Sequence, residues 1–118
     1  MADNLGEALV YEADDSSFNF QVIEKSKKVP VIVQFYAPWC MPCQMLAPIF
    51  ESVVRSHVGK CLLAKVNIEE SPYVSNEYGI FSVPAVKLFM GGKVVSDFSG
   101  LVPEEYLKSW LDKNLNKK

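Results

Sequence analysis

The chain has 118 residues, of which 49% are hydrophobic and 22% charged, and its formal net charge is −2. This length fits one domain with one hydrophobic core, and the composition is typical of a folded globular protein. The small negative charge gives no electrostatic footprint for nucleic acid, so no nucleic-acid partner is predicted. We predict that residues 1–9 form a flexible N-terminal extension and that residues 10–118 form the domain.

An uncharged segment from Val29 to Phe50 raises the question of membrane insertion. Four prolines and two glutamines in this segment argue against a single membrane-spanning helix: Pro30, Pro38, Pro42, Pro48, Gln34 and Gln44. No membrane insertion is therefore predicted. The opening "MADNLGEALV" lacks the basic region and the long apolar core of a secretory signal. A cytoplasmic location is therefore expected, with an organelle after removal of a presequence left open.

The first predicted elements alternate between strand and helix. A short edge strand in "ALVYEA" precedes a helix in "DDSSFNFQVIEKS", for which Ser17 is the predicted N-cap. The run "VPVIVQFYA" is apolar and β-branched, as in a strand buried on both faces in the middle of a sheet. A helix is predicted from Met41 to His57, ending before Gly59. Its apolar residues recur at helical spacing: Met45, Leu46, Ile49, Phe50, Val53 and Val54.

The second half of the chain continues this alternation and then changes to a hairpin. "KCLLAKVNI" predicts another buried strand, and "EESPYVSNEYG" predicts a short helix that closes at Gly79. "AVKLFM" and "KVVSDFS" flank Gly91-Gly92 as an antiparallel hairpin, and the last helix begins at Pro103. That helix has one predicted apolar face: Tyr106, Leu107, Trp110 and Leu111. The order predicts an α/β fold with a central mixed sheet of four to five strands and helices on both faces.

Two cysteines in "WCMPC" lie between the predicted central strand and the following helix. A helix N-terminus presents free N–H groups and partial positive charge, which stabilise a thiolate at Cys40. Cys43 lies one turn deeper, within reach of the Cys40 sulfur, and Pro42 suits the first helical turn. This arrangement predicts dithiol–disulfide exchange, in which Cys40 attacks a substrate disulfide and Cys43 resolves the mixed disulfide.

A metal site is the main chemical alternative for such a pair. Structural zinc needs four ligands, and the remaining candidates are Cys61 and His57, so no metal site is predicted. The same ligand count disfavours an iron–sulfur cluster shared between two chains. We interpret Cys61 as a buried apolar residue and His57 as a solvated helix-end residue.

The chain resembles the thioredoxin family from about Pro30 to the C-terminus. The resemblance rests on the active-site motif and on residues around it: "WCMPC", Phe35, Ala37, Pro48 and "SVPAVKLF". It implies the thioredoxin fold for residues 10–118 and a protein-disulfide reductase whose redox group is the Cys40–Cys43 couple, with no cofactor. It also implies disulfide-containing proteins as substrates and a thioredoxin reductase as the recycling partner. We expect a monomer.

The resemblance further implies a substrate surface around the cysteines. Pro84 matches the family's cis-proline, whose neighbour Val83 would present its backbone to an extended substrate segment. The apolar docking surface implied by the family pattern consists of Trp39, Met41, Pro42, Val83, Gly100 and Leu101.

Two departures from the family pattern affect the chemistry. Met41 replaces a glycine between the cysteines, which should change partner docking and the reduction potential. Gln34 replaces a buried aspartate that accepts the proton of the resolving cysteine, and an amide cannot ionise. Lys65 matches the family's lysine that pairs with that aspartate. Alternatively, Lys65 is a strand lysine whose side chain extends to solvent, and the two interpretations have equal weight. We predict that Cys43 resolves mixed disulfides more slowly in this chain than it would with an aspartate at position 34.

Two other functions stay open at this point. A protein-disulfide oxidase or isomerase would need a less stable Cys40–Cys43 disulfide, which the unusual Met41 favours. A binding or assembly module with incidental redox activity is favoured by Gln34, because the residue that assists turnover in the family is missing.

Overall fold

The computed structural model of the chain describes residues 8–116. The first seven residues of the predicted N-terminal extension lie outside the described part. Within it, the Leu9 carbonyl oxygen accepts a 2.8 Å hydrogen bond from the Leu63 N–H. The elements follow in this order: β1 (Val10–Ala13), an N-terminal helical segment (a π-helical turn Asn19–Glu24 and a 3₁₀ turn Lys25–Lys27), β2 (Val31–Tyr36), α1 (Met41–Arg55), β3 (Leu62–Asn67), α2 (Pro72–Glu77), β4 (Ala85–Met90), β5 (Lys93–Ser99) and α3 (Glu104–Leu115).

The strands form one five-stranded mixed sheet in the order β1-β3-β2-β4-β5. β1, β3 and β2 are parallel, whereas β4 is antiparallel to both β2 and β5. β2 is therefore the central strand, and its residues are buried except for the half-buried Tyr36. This confirms the predicted mixed sheet and the predicted place of "VPVIVQFYA" within it.

Two hydrophobic cores cover the two faces of the sheet. One core packs the N-terminal helical segment and α2 against the sheet, with buried members that include Val22, Val31, Val33, Phe35, Val74 and Phe89. The other packs α1 and α3 against the opposite face, with members that include Ile32, Leu46, Phe50, Leu63, Leu107 and Leu111. Because side chains alternate along a strand, Gln34 shares the face of Ile32 and lies beneath α1.

The first predicted helix is present, but its start differs from the prediction. Ser17 does not cap it, because the Ser17 hydroxyl accepts a 3.0 Å hydrogen bond from the Asp14 N–H. The Asp14 carboxylate in turn accepts from the Ser17 N–H at 3.0 Å, so the two residues close a local turn. The helical segment follows this turn with Phe18 at its N-cap position and no side-chain cap.

The apolar faces predicted for α1 and α3 include side chains that are not buried in the structure. Met45 and Tyr106 belong to these predicted faces, yet they are 53% and 48% exposed. Tyr106 still contacts the Phe98 ring edge-on, with 5.7 Å between the ring centroids. α1 ends at Arg55, before Gly59, whose φ of 86° suits the predicted stop.

His57 follows α1 but is not the solvated residue that we predicted. Its Nδ1 lies 2.8 Å from the Val53 carbonyl oxygen, and its Nε2 lies 2.9 Å from Asp112 Oδ1 on α3. Its side chain is only 16% exposed because it fills the junction between the two helices. Within residues 8–116, no helix is both long and apolar enough to cross a membrane.

Candidate active site

The two cysteines lie where the loop after β2 enters α1. Cys40 is the N-cap residue of α1, with an extended backbone, and its Sγ accepts a 3.2 Å hydrogen bond from the Cys43 N–H. Cys40 and Cys43 form a disulfide, and their Cα atoms are 5.3 Å apart. The helix N-terminus thus supplies an N–H donor to the Cys40 sulfur, as the sequence predicted.

The disulfide is covered, whereas its neighbours in sequence are exposed. Cys40 and Cys43 have exposed fractions of 4% and 3%, in contrast to 67% for Trp39 and 62% for Met41. Pro42 is also exposed and occupies the first turn of α1. The Trp39 indole Nε1–H donates to the carboxylate of Glu69, which fixes the ring beside the disulfide.

The loop before β4 brings a cis-proline to the same place. The Val83-Pro84 peptide bond is cis, and the Val83 carbonyl oxygen lies 3.7 Å from Cys40 Sγ. The Gly100 N–H donates a 2.9 Å hydrogen bond to the Pro84 carbonyl oxygen. Leu101 follows with an exposed fraction of 42%. The structure therefore places Val83 next to the Cys40 sulfur and ties Gly100 to the cis-proline.

Gln34 lies beneath the disulfide and carries an unpaired amide. Its side chain is completely buried, and neither Oε1 nor Nε2 has a hydrogen-bond partner among the described residues. It lines a cavity of about 290 Å³ together with Cys43 and Lys65. The rest of the lining consists of Tyr36, Ala37, Pro38, Gln44 and Ala47.

Lys65 stands opposite Gln34 in the register of β2 and β3. Its Nζ lies 3.6 Å from Glu51 Oε2 on α1 and 5.5 Å from the centroid of the Tyr36 ring. Its side chain is 22% exposed, so the ammonium group is partly shielded from water. The carboxylate partner of Lys65 is therefore Glu51 on α1, since the residue opposite it on β2 is the uncharged Gln34.

Three carboxylates near the site make contacts that were not predicted from the sequence. Glu12 accepts a 2.9 Å hydrogen bond from the Tyr36 hydroxyl, and Glu51 and Glu69 hold Lys65 and Trp39. Burial, followed by the bond to Glu12, raises the pKa of Tyr36 above its ordinary value, so the phenol stays neutral. No sequence pattern indicates these pairs, because each joins residues on different elements.

Cys61 is separate from this chemistry. It is fully buried and unpaired, and burial raises the pKa of its thiol to about 11. Among residues 8–116, no three histidine, cysteine, aspartate or glutamate side chains converge to hold a metal ion.

The family model of thioredoxin matches residues 9–113. The chain belongs to the thioredoxin family. It is 40% identical over 104 residues to thioredoxin 1 of Nostoc sp., which covers 88% of this chain and 95% of the relative. It is 42% identical over 101 residues to thioredoxin M4, chloroplastic, of Arabidopsis thaliana, covering 86% of this chain and 51% of the relative. It is 35% identical over 105 residues to a thioredoxin of Chlorobaculum thiosulfatiphilum, covering 89% of this chain and 95% of the relative.

Family membership and the Cys40–Cys43 disulfide together make the chain a thiol–disulfide oxidoreductase. The predicted fold and this general chemistry are both confirmed. The relatives include bacterial proteins and one named as chloroplastic, which leaves both the cytoplasm and an organelle as compartments for this family member.

Proposed function

We propose that the chain reduces protein disulfides as a thioredoxin-type electron carrier, with Cys40 as the attacking and Cys43 as the resolving cysteine. The observation that carries this proposal is the Cys43 N–H aimed at Cys40 Sγ at 3.2 Å. After reduction, this donor and the helix N-terminus stabilise a thiolate on Cys40 rather than on Cys43.

The reaction runs as two exchanges. The Cys40 thiolate attacks one sulfur of a substrate disulfide, which releases a substrate thiolate and leaves a mixed disulfide. Cys43 then attacks Cys40 Sγ, which releases the second substrate sulfur and restores the Cys40–Cys43 disulfide. The substrate gains two electrons and two protons, and a reductase must return two electrons to the chain before the next cycle.

The proposed substrate surface surrounds Cys40. An extended substrate segment would pair with the backbone of Val83 next to cis Pro84 and cover the apolar residues Trp39, Met41, Pro42, Gly100 and Leu101. The exposure of Trp39 and Met41 supports this role, because large exposed apolar side chains beside a reactive group suit partner docking.

The proposed partners are disulfide-containing proteins and a thioredoxin reductase. The relatives named thioredoxin support both partners. We further propose that the chain acts as a monomer and that its working unit is the domain of residues 10–118, with residues 1–9 as an extension.

Substitution of each cysteine tests the proposal. We expect the Cys40→Ser and Cys43→Ser variants to lose turnover of a disulfide-bonded protein such as insulin, measured with thioredoxin reductase and NADPH. Cys43→Ser should also accumulate a mixed disulfide through Cys40, visible by mass spectrometry, because nothing can resolve it. Cys61→Ser is the matched control and should keep turnover. Full turnover by the Cys40→Ser variant would refute the proposal.

The reduction potential of the Cys40–Cys43 couple distinguishes a reductase from an oxidase or isomerase. The second candidate function, an oxidase or isomerase, is favoured by the exposed Met41. Thioredoxins have a long-established reference value of about −270 mV, against about −180 mV for protein disulfide isomerase. Equilibration of the Cys40–Cys43 couple with glutathione, read from alkylated thiols, should give a value near the first. A value near the second would identify an isomerase, and failure to form the bond would identify a binding module.

A further inference from the structure

The unpaired amide of Gln34 indicates a water site behind Cys43. A buried amide that lacks hydrogen bonds costs free energy, and ordered water commonly restores those bonds. The cavity of about 290 Å³ is large enough for several water molecules and offers polar groups of Gln34 and Lys65 as partners. Pro38 and Gln44 also line the cavity and are exposed, so it connects the buried amide with solvent.

We propose that water held by the Gln34 amide carries the proton of the Cys43 thiol to solvent, and that the Lys65 ammonium stabilises the resulting Cys43 thiolate. Gln34 and Lys65 are then positioning residues for the second exchange. This inference rests on the proposed function, because it assumes that Cys43 resolves the mixed disulfide formed by Cys40.

The proposed step balances without another reactant. The Cys43 S–H bond breaks, its proton passes to water and then to bulk solvent, and the electron pair stays on sulfur. That pair forms the bond to Cys40 Sγ as the bond between Cys40 and the substrate sulfur breaks. The leaving substrate thiolate takes a proton from solvent, so the amide of Gln34 is unchanged at the end.

The charges around Cys43 favour this role for Lys65. Among the described residues that line the cavity, Lys65 alone carries a charge. The titratable groups on the elements that pack around the cavity include the following: Glu12 on β1, Tyr36 on β2, Cys40 and Glu51 at α1, Lys65 on β3, and Glu69 and Glu70 in the loop after β3. Glu12, Glu51 and Glu69 are bonded to Tyr36, Lys65 and Trp39, respectively. A nearby cation stabilises a thiolate most strongly where water is partly excluded.

The pH dependence of the second exchange tests the inference. Reduced protein is mixed with a disulfide-bonded peptide and quenched with acid, and mass spectrometry follows the formation and decay of the mixed disulfide over time. In the wild type, the decay rate should rise with pH along a single ionisation. Gln34→Asp should add a second ionisation, because it places a titratable carboxyl in the cavity.

Two variants address the two residues separately. Gln34→Leu removes the groups that hold water, so the decay should slow by about tenfold while formation changes less than about twofold. Gln21→Leu is the matched control: Gln21 Oε1 is also buried without a partner, on the other face of the sheet. This control should decay at the wild-type rate. Lys65→Met should raise the pH midpoint of decay by about one unit, and Lys65→Arg should restore it.

Removal of the partner of Lys65 should have the opposite effect. Glu51→Gln leaves the ammonium without its carboxylate, so the midpoint should fall. A purely structural role for these residues would not move the midpoint in opposite directions. Wild-type decay in Gln34→Leu, or an unchanged midpoint in Lys65→Met, overturns the inference and leaves the reductase in place. If the wild-type mixed disulfide never decays, the proposed function itself fails.

Discussion

Cys61 shows how burial alone sets the chemistry of a cysteine. It lies in the core beneath α1 and α3, fully buried, and burial raises the pKa of its thiol to about 11. Cys40, by contrast, meets an N–H donor at a helix N-terminus. Cys61 and Cys40 are therefore expected to differ in reactivity, because Cys61 is surrounded by apolar side chains whereas Cys40 lies at the N-terminus of α1.

The raised pKa of Cys61 predicts a loss of stability in alkali. The folded state holds this proton more tightly than the unfolded state, whose thiol has an ordinary pKa of 9.0. The contribution is therefore complete below about pH 9 and is lost as the pH rises towards 11, amounting to at most about 3 kcal/mol. Urea unfolding between these pH values should show the loss, with Cys40 and Cys43 replaced by serine to prevent disulfide exchange.

The control for this measurement is Cys61→Ala in the same serine background. Any other group that ionises in alkali does so equally in both proteins. The stability of the alanine variant should therefore fall less steeply with pH. Parallel curves for the two proteins would show that the thiol of Cys61 is not desolvated.

At the level of elements, α2 depends on a residue far away in sequence. The N–H groups of Tyr73 and Val74 donate to the Asp15 carboxylate at 3.1 and 2.9 Å. Ser71 occupies the N-cap position, but its side chain makes no capping bond. Asp15 thus caps α2 from the turn that follows β1, and it ties this turn to the loop after β3.

Removal of this carboxylate should destabilise the fold. Asp15→Ala should lower the free energy of unfolding by about 1–2 kcal/mol, because two helix N–H groups lose their acceptor, and Asp15→Asn should lower it by less. Chemical denaturation measures both. Asp97→Ala is the control, since that carboxylate is 56% exposed in its pair with Lys87 and should contribute less than about 1 kcal/mol. Equal losses from Asp15→Ala and Asp97→Ala would contradict the capping role.

The order and type of the elements could be predicted from the sequence because periodicity and turn residues act locally. The apolar run of β2, the Gly91-Gly92 hairpin and the start of α1 at Met41 all depend on neighbouring residues. The contacts of Asp15 with α2 and of His57 with α3 could not, because they join positions more than 50 residues apart. The Ser17 prediction was wrong for a related reason, since Asp14 competed for the same backbone groups.

At the scale of the whole molecule, one sheet separates two cores that share no buried side chain. Val22 packs on one face and Leu111 on the other. Sites without common partners usually contribute independently to stability. The two faces should therefore respond independently to mutation.

A double-mutant cycle tests this independence. Leu111→Ala should cost about 2–5 kcal/mol and Val22→Ala about 1–3 kcal/mol. The double variant should lose the sum to within about 0.5 kcal/mol, measured by urea unfolding. Leu111→Ala combined with Val54→Ala, both in one core, is the comparison pair in which a larger coupling is expected. Coupling of the same size across the sheet would show that β2 transmits strain between the cores.

The candidate site was predictable in part at this scale. The motif around Cys40 and the valine-proline pair pointed to residues that the fold brings to one edge of the sheet. The cavity behind Cys43 was not predictable, because its existence depends on how α1 lies over Gln34 and Lys65. The resemblance to thioredoxins indicated that an ionisable group is missing at position 34, and only the packed structure shows which residues line the cavity.

Both ends of the described chain lie away from the disulfide. β1 runs parallel to β2 and begins opposite the start of β3, where Val10 pairs with Leu63. Gly100, which precedes α3, bonds to the cis-proline Pro84, whereas Asp112 in the second half of α3 meets His57 just beyond the end of α1. Attachment of a tag or a fused domain at residue 8 or residue 116 is therefore expected to leave the active-site cysteines uncovered. We expect a chain tethered to a solid support at either of these two residues to keep Cys40 open to thiol–disulfide exchange.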